Sequence, residues 1–237
     1  IVVDLDTATS VDGFHQAGYT DADIVVTNDQ AAAESAIEQG KKVATTNYKL
    51  AIAAKQTQVV IDATGSPEMG ARVTMECIFY KKHIVMMNVE CDVTIGPLLR
   101  RMCEQAGIVY SLTAGDEPGS IVEVYRFATA LGFKVVAAGK GKNNPLDIYA
   151  HPGMEEWKQR AAHRNMNPRM LIEFVDGSKT MIEMAAVSNA TGLIPDVRGM
   201  HGPKCNVSDL SKVFSLKEQG GILEHEGVVD FGIGNIA

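Results

Sequence analysis

Lys140 and Lys142 stand two residues apart in the run Gly139-Lys140-Gly141-Lys142-Asn143-Asn144. Two ammonium groups at this spacing, flanked by glycines, offer a site for a carboxylate or phosphate and can steady an alkoxide forming beside them. Their mutual repulsion should push one toward neutrality, which suits proton transfer. A solvated basic turn is the plain alternative. Asp116 and Glu117 fall in the turn Gly115-Asp116-Glu117-Pro118-Gly119. They would orient the lysines or contact hydroxyls, unless they only shape the turn.

A second set of residues closes two apolar runs. Val59-Val60-Ile61 leads into Asp62-Ala63-Thr64-Gly65, and His83-Ile84-Val85-Met86-Met87 leads into Asn88-Val89-Glu90. Open parallel sheets bind ligands at such carboxyl ends. Gly65 admits a flat ring close to the backbone, and an Asn88 amide both donates and accepts, a combination suited to a nicotinamide. Helix capping is the rival reading, and for Ser66-Pro67-Glu68 it is the preferred one. Asp4 closes the first apolar run, where an acid can bind an adenosine ribose; Asp6 competes for that role, and a solvated acid explains either. An acid there would repel an extra phosphate, so NAD and NADP both stay open. Glu90, Asp92, Asp116 and Glu117 carry oxygens suited to a divalent metal, but their spacing matches no metal motif.

These residues need a scaffold. Apolar runs at Ile24–Val26, 43–46, Val59–Ile61, 83–87, 109–112 and 133–138 alternate with helical stretches at 10–17, 30–39, 48–54, 96–105 and 121–131. That alternation is the pattern of a doubly wound α/β sheet. The character changes after Pro145. Met170 to Val175, Asp176-Gly177, then Ser178 to Ala186 reads as a hairpin about a two-residue turn. The expected division is therefore a dinucleotide-binding domain over 1–145 and a smaller α+β substrate region over 146–237. The chain opens in mid-strand without a G-x-G-x-x-G turn, so it reads as part of a longer protein.

The formal charge of −7 argues against a nucleic-acid surface. No apolar run approaches the roughly 18 residues of a membrane span. Cys77, Cys91, Cys103 and Cys205 lack paired spacing and read as reduced thiols, which with the absence of a visible signal peptide points to the cytoplasm.

Six segments, distributed in order along the chain, resemble the homoserine-dehydrogenase-like NAD(P)-dependent oxidoreductases, in particular the branch of the 1-deoxy-D-xylulose-5-phosphate reductoisomerase-like enzymes. They are VVIDATGSPEMGAR, HIVMMNVECDVTIGPLL, VYSLTAGDEPG, GFKVVAAGKGKNN, FVDGSKTMIEMAAVSNATGLIPDVRGMHGP and GGILEHEGVVDFGIG. The resemblance implies a Rossmann-type cofactor domain followed by a substrate and oligomerisation region, often with a further SAF-type domain. It implies that Ala63, Thr64, Gly65, Asn88, Val89 and Glu90 border the nicotinamide, and that Lys140, Lys142 and Asn143 line the substrate pocket. Asn189, Arg198 and His201 are the polar residues to watch in the fifth segment, with Arg198 suited to an anion and His201 to acid–base work. Glu183 is ambiguous. Relatives that act on homoserine carry Asn-Lys where this chain has Asn88-Val89, which argues against that substrate.

The expected function is hydride transfer between a nicotinamide cofactor and a small polyol, hydroxy acid or sugar phosphate in a homo-oligomer. Isomerisation of the substrate skeleton is an added option. A plain homoserine-type dehydrogenase and a non-catalytic nucleotide sensor or scaffold are the alternatives.

Overall fold

The computed structural model describes residues 1–164 and 166–234, which condense into two compact units, Ile1–Leu112 and Thr113–Ala237. The change of character after Pro145 lies inside the second unit.

The first unit holds β1 (Val2–Val3), α1 (Thr7–Gln16), β2 (Ile24–Val26), α2 (Gln30–Glu38), β3 (Lys42–Thr45), α3 (Tyr48–Ala53), β4 (Val59–Asp62), α4 (Pro67–Tyr80), β5 (His83–Met86), α5 (Val89–Ala106) and β6 (Tyr110–Leu112). Its strands form two parallel three-stranded sheets, ordered β1-β3-β2 and β4-β5-β6. Strand alternating with helix gives the parallel α/β architecture, because a parallel neighbour needs a crossover. Ile84 and Met86 of β5 are fully buried and pack with Ile52, Val73, Cys77, Leu99 and Cys103 from the flanking helices. A smaller cluster of Ala33, Ala36, Val43 and Leu50 seats α2 and α3 on β3.

Local chemistry explains the helix starts. Asp6, Asp29, Asn47, Ser66 and Asn88 each accept a backbone N–H from the first turn of the helix that follows. Asn88 therefore starts α5 at Val89, well before the helix expected from Gly96. Gly96-Pro97 looks like a helix entrance, yet both residues lie inside α5.

The second unit holds α6 (Glu117–Ala130), β7 (Ala137–Lys142), α7 (Glu155–His163), α8 (Pro168–Val175), α9 (Ser178–Thr191), β8 (Ile194–Pro195), α10 (Leu210–Val213) and β9 (Val228–Ile233). Its sheet is also parallel, in the order β7-β9-β8. The hairpin expected about Asp176-Gly177 does not form. Asn167 caps α8 with Pro168 in its first turn, Gly177 takes φ 86°, and α9 follows directly. The Asp-Gly pair suits a helix–helix turn as well as a hairpin, since either needs a residue at positive φ. Leu171, Ile172 and Val175 pack on Trp157 and Ala161 of α7, which no strand periodicity would arrange.

The strand expected over 133–138 is displaced to Ala137–Lys142. Lys140 and Lys142 therefore belong to β7 instead of trailing it. Gly139 is required by this sheet, not by a ligand. A Cβ there would lie 1.8 Å from the Asp230 carbonyl oxygen on β9.

Candidate active site

The central feature of the second unit is an ionic triad built on one buried carboxylate. Lys140 and Lys142 alternate with glycine along β7, so both side chains leave the same face of the strand. Lys140 Nζ donates to Glu183 Oε2 at 2.5 Å and to Glu117 Oε1 at 2.8 Å. Glu183 projects from the middle of α9 and its side chain is 4 % exposed, whereas Glu117, in the first turn of α6, is half exposed. Burial alone would lower the Lys140 ammonium, but hydrogen bonds and charge from Glu117 and Glu183 hold it above the ordinary lysine value. Burial pushes the Glu183 carboxyl up, more than Lys140 draws it down. The hydrogen bond from Lys140 holds Glu117 below the usual carboxylate value despite its partial burial.

Lys142 behaves differently. It is 4 % exposed, and its ammonium donates to the Phe174 carbonyl in the last turn of α8, where a helix favours a cation. Burial, followed by repulsion from Lys140, lowers its proton affinity. One lysine of the pair is thus pushed toward neutrality as expected, with desolvation as the first cause. Its position makes it an anchor between β7 and α8, whereas Lys140 lines an open cleft.

That cleft has a volume of about 920 Å3. Ile121, Val124 and Tyr125 of α6 and Phe214 wall it, with Lys140 and Asp230 among the polar lining residues. Asp230 is nearly inaccessible. Its carboxylate accepts the backbone N–H of His201, Gly202 and Phe231, and lies 2.7 Å from His201 Nδ1. It fastens the 199–202 turn to β9, and that turn carries Met200 at φ 63°. Asp196, also fully buried in its side chain, lies 3.4 Å from His201 Nε2 and 3.3 Å from His225 Nε2.

The other expected residues are distributed as follows. Asn143 is exposed just past β7, and Arg198 is exposed on the turn after β8. Asn189, on α9, lines a separate pocket of about 320 Å3 with Met181, Met184 and Met200. Asp116 caps α6, accepting the Gly119 N–H at 2.9 Å. Its other carboxylate oxygen is buried without a hydrogen-bond partner.

The cofactor candidates all lie in the first unit. Asn88 is 1 % exposed and its amide donates to Asp62, Thr64 and the Ser66 carbonyl while its oxygen accepts Cys91 N–H. These bonds brace the ends of β4 and β5. Val89 is buried, and Glu90 lies in the first turn of α5. Ala63, Thr64 and Gly65 are exposed, and Asp4 is exposed at the end of β1. Asp92 accepts a hydrogen bond from Tyr110 Oη at 2.9 Å. Among the described residues no group of three or more His, Cys, Asp or Glu is arranged to hold a metal ion.

Asp196, Asp230 and His225 were not singled out from sequence. Asp230 had a signal: an acid inside the apolar run Val228-Val229-Asp230-Phe231 must find partners when that strand is buried. Asp196 and His225 had none, since residues 29 apart meet only through folding.

The model of the family described as oxidoreductase DRL, catalytic domain, matches residues 115–237. This interval contains the triad and the Asp–His cluster. No curated protein matches the chain significantly. Among solved structures, the chain is similar to an NAD binding oxidoreductase from Klebsiella pneumoniae, with 14 % identity and a TM-score of 0.37 over 65 % of this chain and 44 % of that one. It is similar also to a probable dehydrogenase from Thermotoga maritima, with 13 % identity and a TM-score of 0.33 over 71 % of this chain and 52 % of that one. The chain spans about half the length of these structures. At this distance the likeness carries no functional weight. Among the described residues no helix is long and apolar enough to cross a membrane.

Proposed function

Because the chain belongs to the family of the oxidoreductase DRL catalytic domain, we propose that it serves an NAD- or NADP-dependent oxidoreductase in which Lys140 holds the reacting substrate oxygen. The observation that carries this reading is Lys140, held by Glu117 and Glu183, on the wall of a cleft large enough for a small substrate. The substrate classes that suit it are small polyols, hydroxy acids and sugar phosphates.

A carbonyl oxygen that gains charge during reduction needs a positive, preoriented donor. Lys140 meets that need because two carboxylates fix its direction and keep it protonated. It would donate to the substrate oxygen and hand over a proton as the carbon is reduced; in the oxidative direction it would receive that proton. Glu183, shielded from water, sets the position of the ammonium. Glu117, half exposed, is the member that communicates with solvent. Lys142 maintains the strand that presents Lys140.

Residues of the first unit fit a nicotinamide. The exposed Ala63–Gly65 turn ends β4, Gly65 has φ 64°, and a Cβ placed there would meet nothing within 4 Å. Ala63, Thr64 and Gly65 would hold the ring by backbone approach, with Asn88 keeping the turn in place and Asp4 available to a ribose. When bound, the nicotinamide supplies or accepts the hydride. Coupled isomerisation, as in reductoisomerase-like enzymes, and a homo-oligomeric assembly belong to the same reading.

The test combines binding with turnover. Reduced nicotinamide dinucleotides should bind, with fluorescence titration as the readout, and a panel of the three substrate classes should show nicotinamide-linked absorbance change. Product analysis separates simple alcohol–carbonyl exchange from a rearranged skeleton. Lys140→Ala should lower turnover by about 10² or more while leaving the protein folded. Full turnover in that variant, or no dinucleotide binding, overturns the proposal.

A further inference from the structure

We infer that His225, Asp196, His201 and Asp230 form a path carrying one proton between solvent and the cleft. The use of the path rests on the oxidoreductase reading above; its existence does not. Its outer end is His225, whose side chain is 44 % exposed. The steps are His225 Nε2 to Asp196 Oδ1 at 3.3 Å, Asp196 Oδ2 to His201 Nε2 at 3.4 Å, and His201 Nδ1 to Asp230 Oδ2 at 2.7 Å. Asp230 is a lining residue of the cleft that also contains Lys140.

Backbone N–H groups of His201, Gly202 and Phe231 account for the burial of Asp230, whereas Asp196 is less well provided. One Asp196 oxygen accepts the Glu224 N–H at 2.9 Å, while the other is buried and without a hydrogen-bond partner. The His225 imidazole lies 3.3 Å from that oxygen, and the His225 backbone N–H also acts on the Asp196 carboxylate. A buried unpaired acceptor is costly, so its retention beside an imidazole calls for a use. Imidazoles are two-ended carriers, taking a proton at one nitrogen and releasing another from the opposite one.

The transfers balance. His225 gives a proton to Asp196, and the carboxyl turns to present it to His201 Nε2. His201 then releases the proton on Nδ1 to Asp230, which ends protonated at the cleft while His201 has exchanged tautomers. One proton enters and one leaves; no other bond forms or breaks. Reduction of a carbonyl by hydride consumes one proton from solvent, and oxidation of an alcohol returns one, so the path matches the proton demand of either direction.

The test uses the whole chain labelled with 15N-histidine, following by NMR the exchange of the His201 ring N–H with water. His225→Ala removes an exposed side chain. It should slow that exchange at least tenfold, and added imidazole should restore it. Asp196→Asn, similar in shape but unable to pass the proton, should slow exchange with no rescue by imidazole. Unchanged exchange in His225→Ala, or slowing that imidazole fails to reverse, overturns the path. Should Asp196→Asn not fold, the His225→Ala result decides alone. Absence of turnover with every substrate would sink the oxidoreductase reading and leave the exchange result standing.

Discussion

Replacing Lys140 with Met tests the triad most directly. The aliphatic stem remains, the charge disappears, and Glu183, 4 % exposed, loses its counter-ion. An unpaired buried carboxylate costs several kcal/mol, so Glu183 escapes by taking up a proton. In the unfolded chain it titrates at the ordinary value of 4.5. At pH 7 the folded variant must then hold a proton that the unfolded chain has lost. Over 2.5 pH units at about 1.4 kcal/mol each, that costs about 3.4 kcal/mol; at pH 5 the same reasoning leaves about 0.7 kcal/mol. With the folded value raised, the native state binds more protons, so stability is greatest below 4.5 and falls as pH rises until Glu183 ionises within the fold. Glu117, half exposed, stays hydrated and adds little. Urea unfolding at pH 5 and pH 7 should therefore show a Lys140→Met penalty that grows between them, by at most about 2.7 kcal/mol because wild-type Glu183, itself raised, loses part of the same stability. Adding Glu183→Gln should abolish that growth. A penalty equal at both pH values, or one untouched by Glu183→Gln, would refute the account of the triad.

Other outcomes follow from the same contacts. Gly139→Ala should cost at least about 3 kcal/mol in chemical denaturation, because its Cβ meets backbone, which cannot repack as a side chain would. Asn88→Ala should lower stability by about 2–4 kcal/mol, since it deletes a cap and leaves buried Asp62 short of a donor; a thermal shift below two or three degrees would count against that role. Burial raises the Cys77 thiol to about 12 and the Cys91 thiol to about 11. Neither should react with a disulfide reagent at pH 8 until the protein is denatured, and rapid labelling of either in the native state would contradict this burial. In Lys142→Met, the gain in stability that wild type shows as pH rises toward 10.5 should vanish. That gain arises because the folded state holds the Lys142 proton less tightly than the unfolded chain does.

Much of the first unit was legible because its signals are local. Continuous apolar runs marked β4 and β5, and Asp29 and Ser66 announced the helices they cap, each from within a few residues of the element concerned. Local signals failed where one motif serves two structures. Asp176-Gly177 suits a hairpin or a helix turn, and the packing of α8 on Trp157 decided between them. The strand at 133–138 was misplaced because Lys140 and Lys142 look like solvent residues; only Glu183 and the Phe174 carbonyl make their burial tolerable. Sequence by itself determined that Lys140 and Glu117 are chemically able to work as a pair. Tertiary structure alone brought up Glu183, 43 residues from Lys140 along the chain, and Asp230, 29 from His201. Contacts at such separations depend on which helix crosses which strand, and no periodicity of residue types records that.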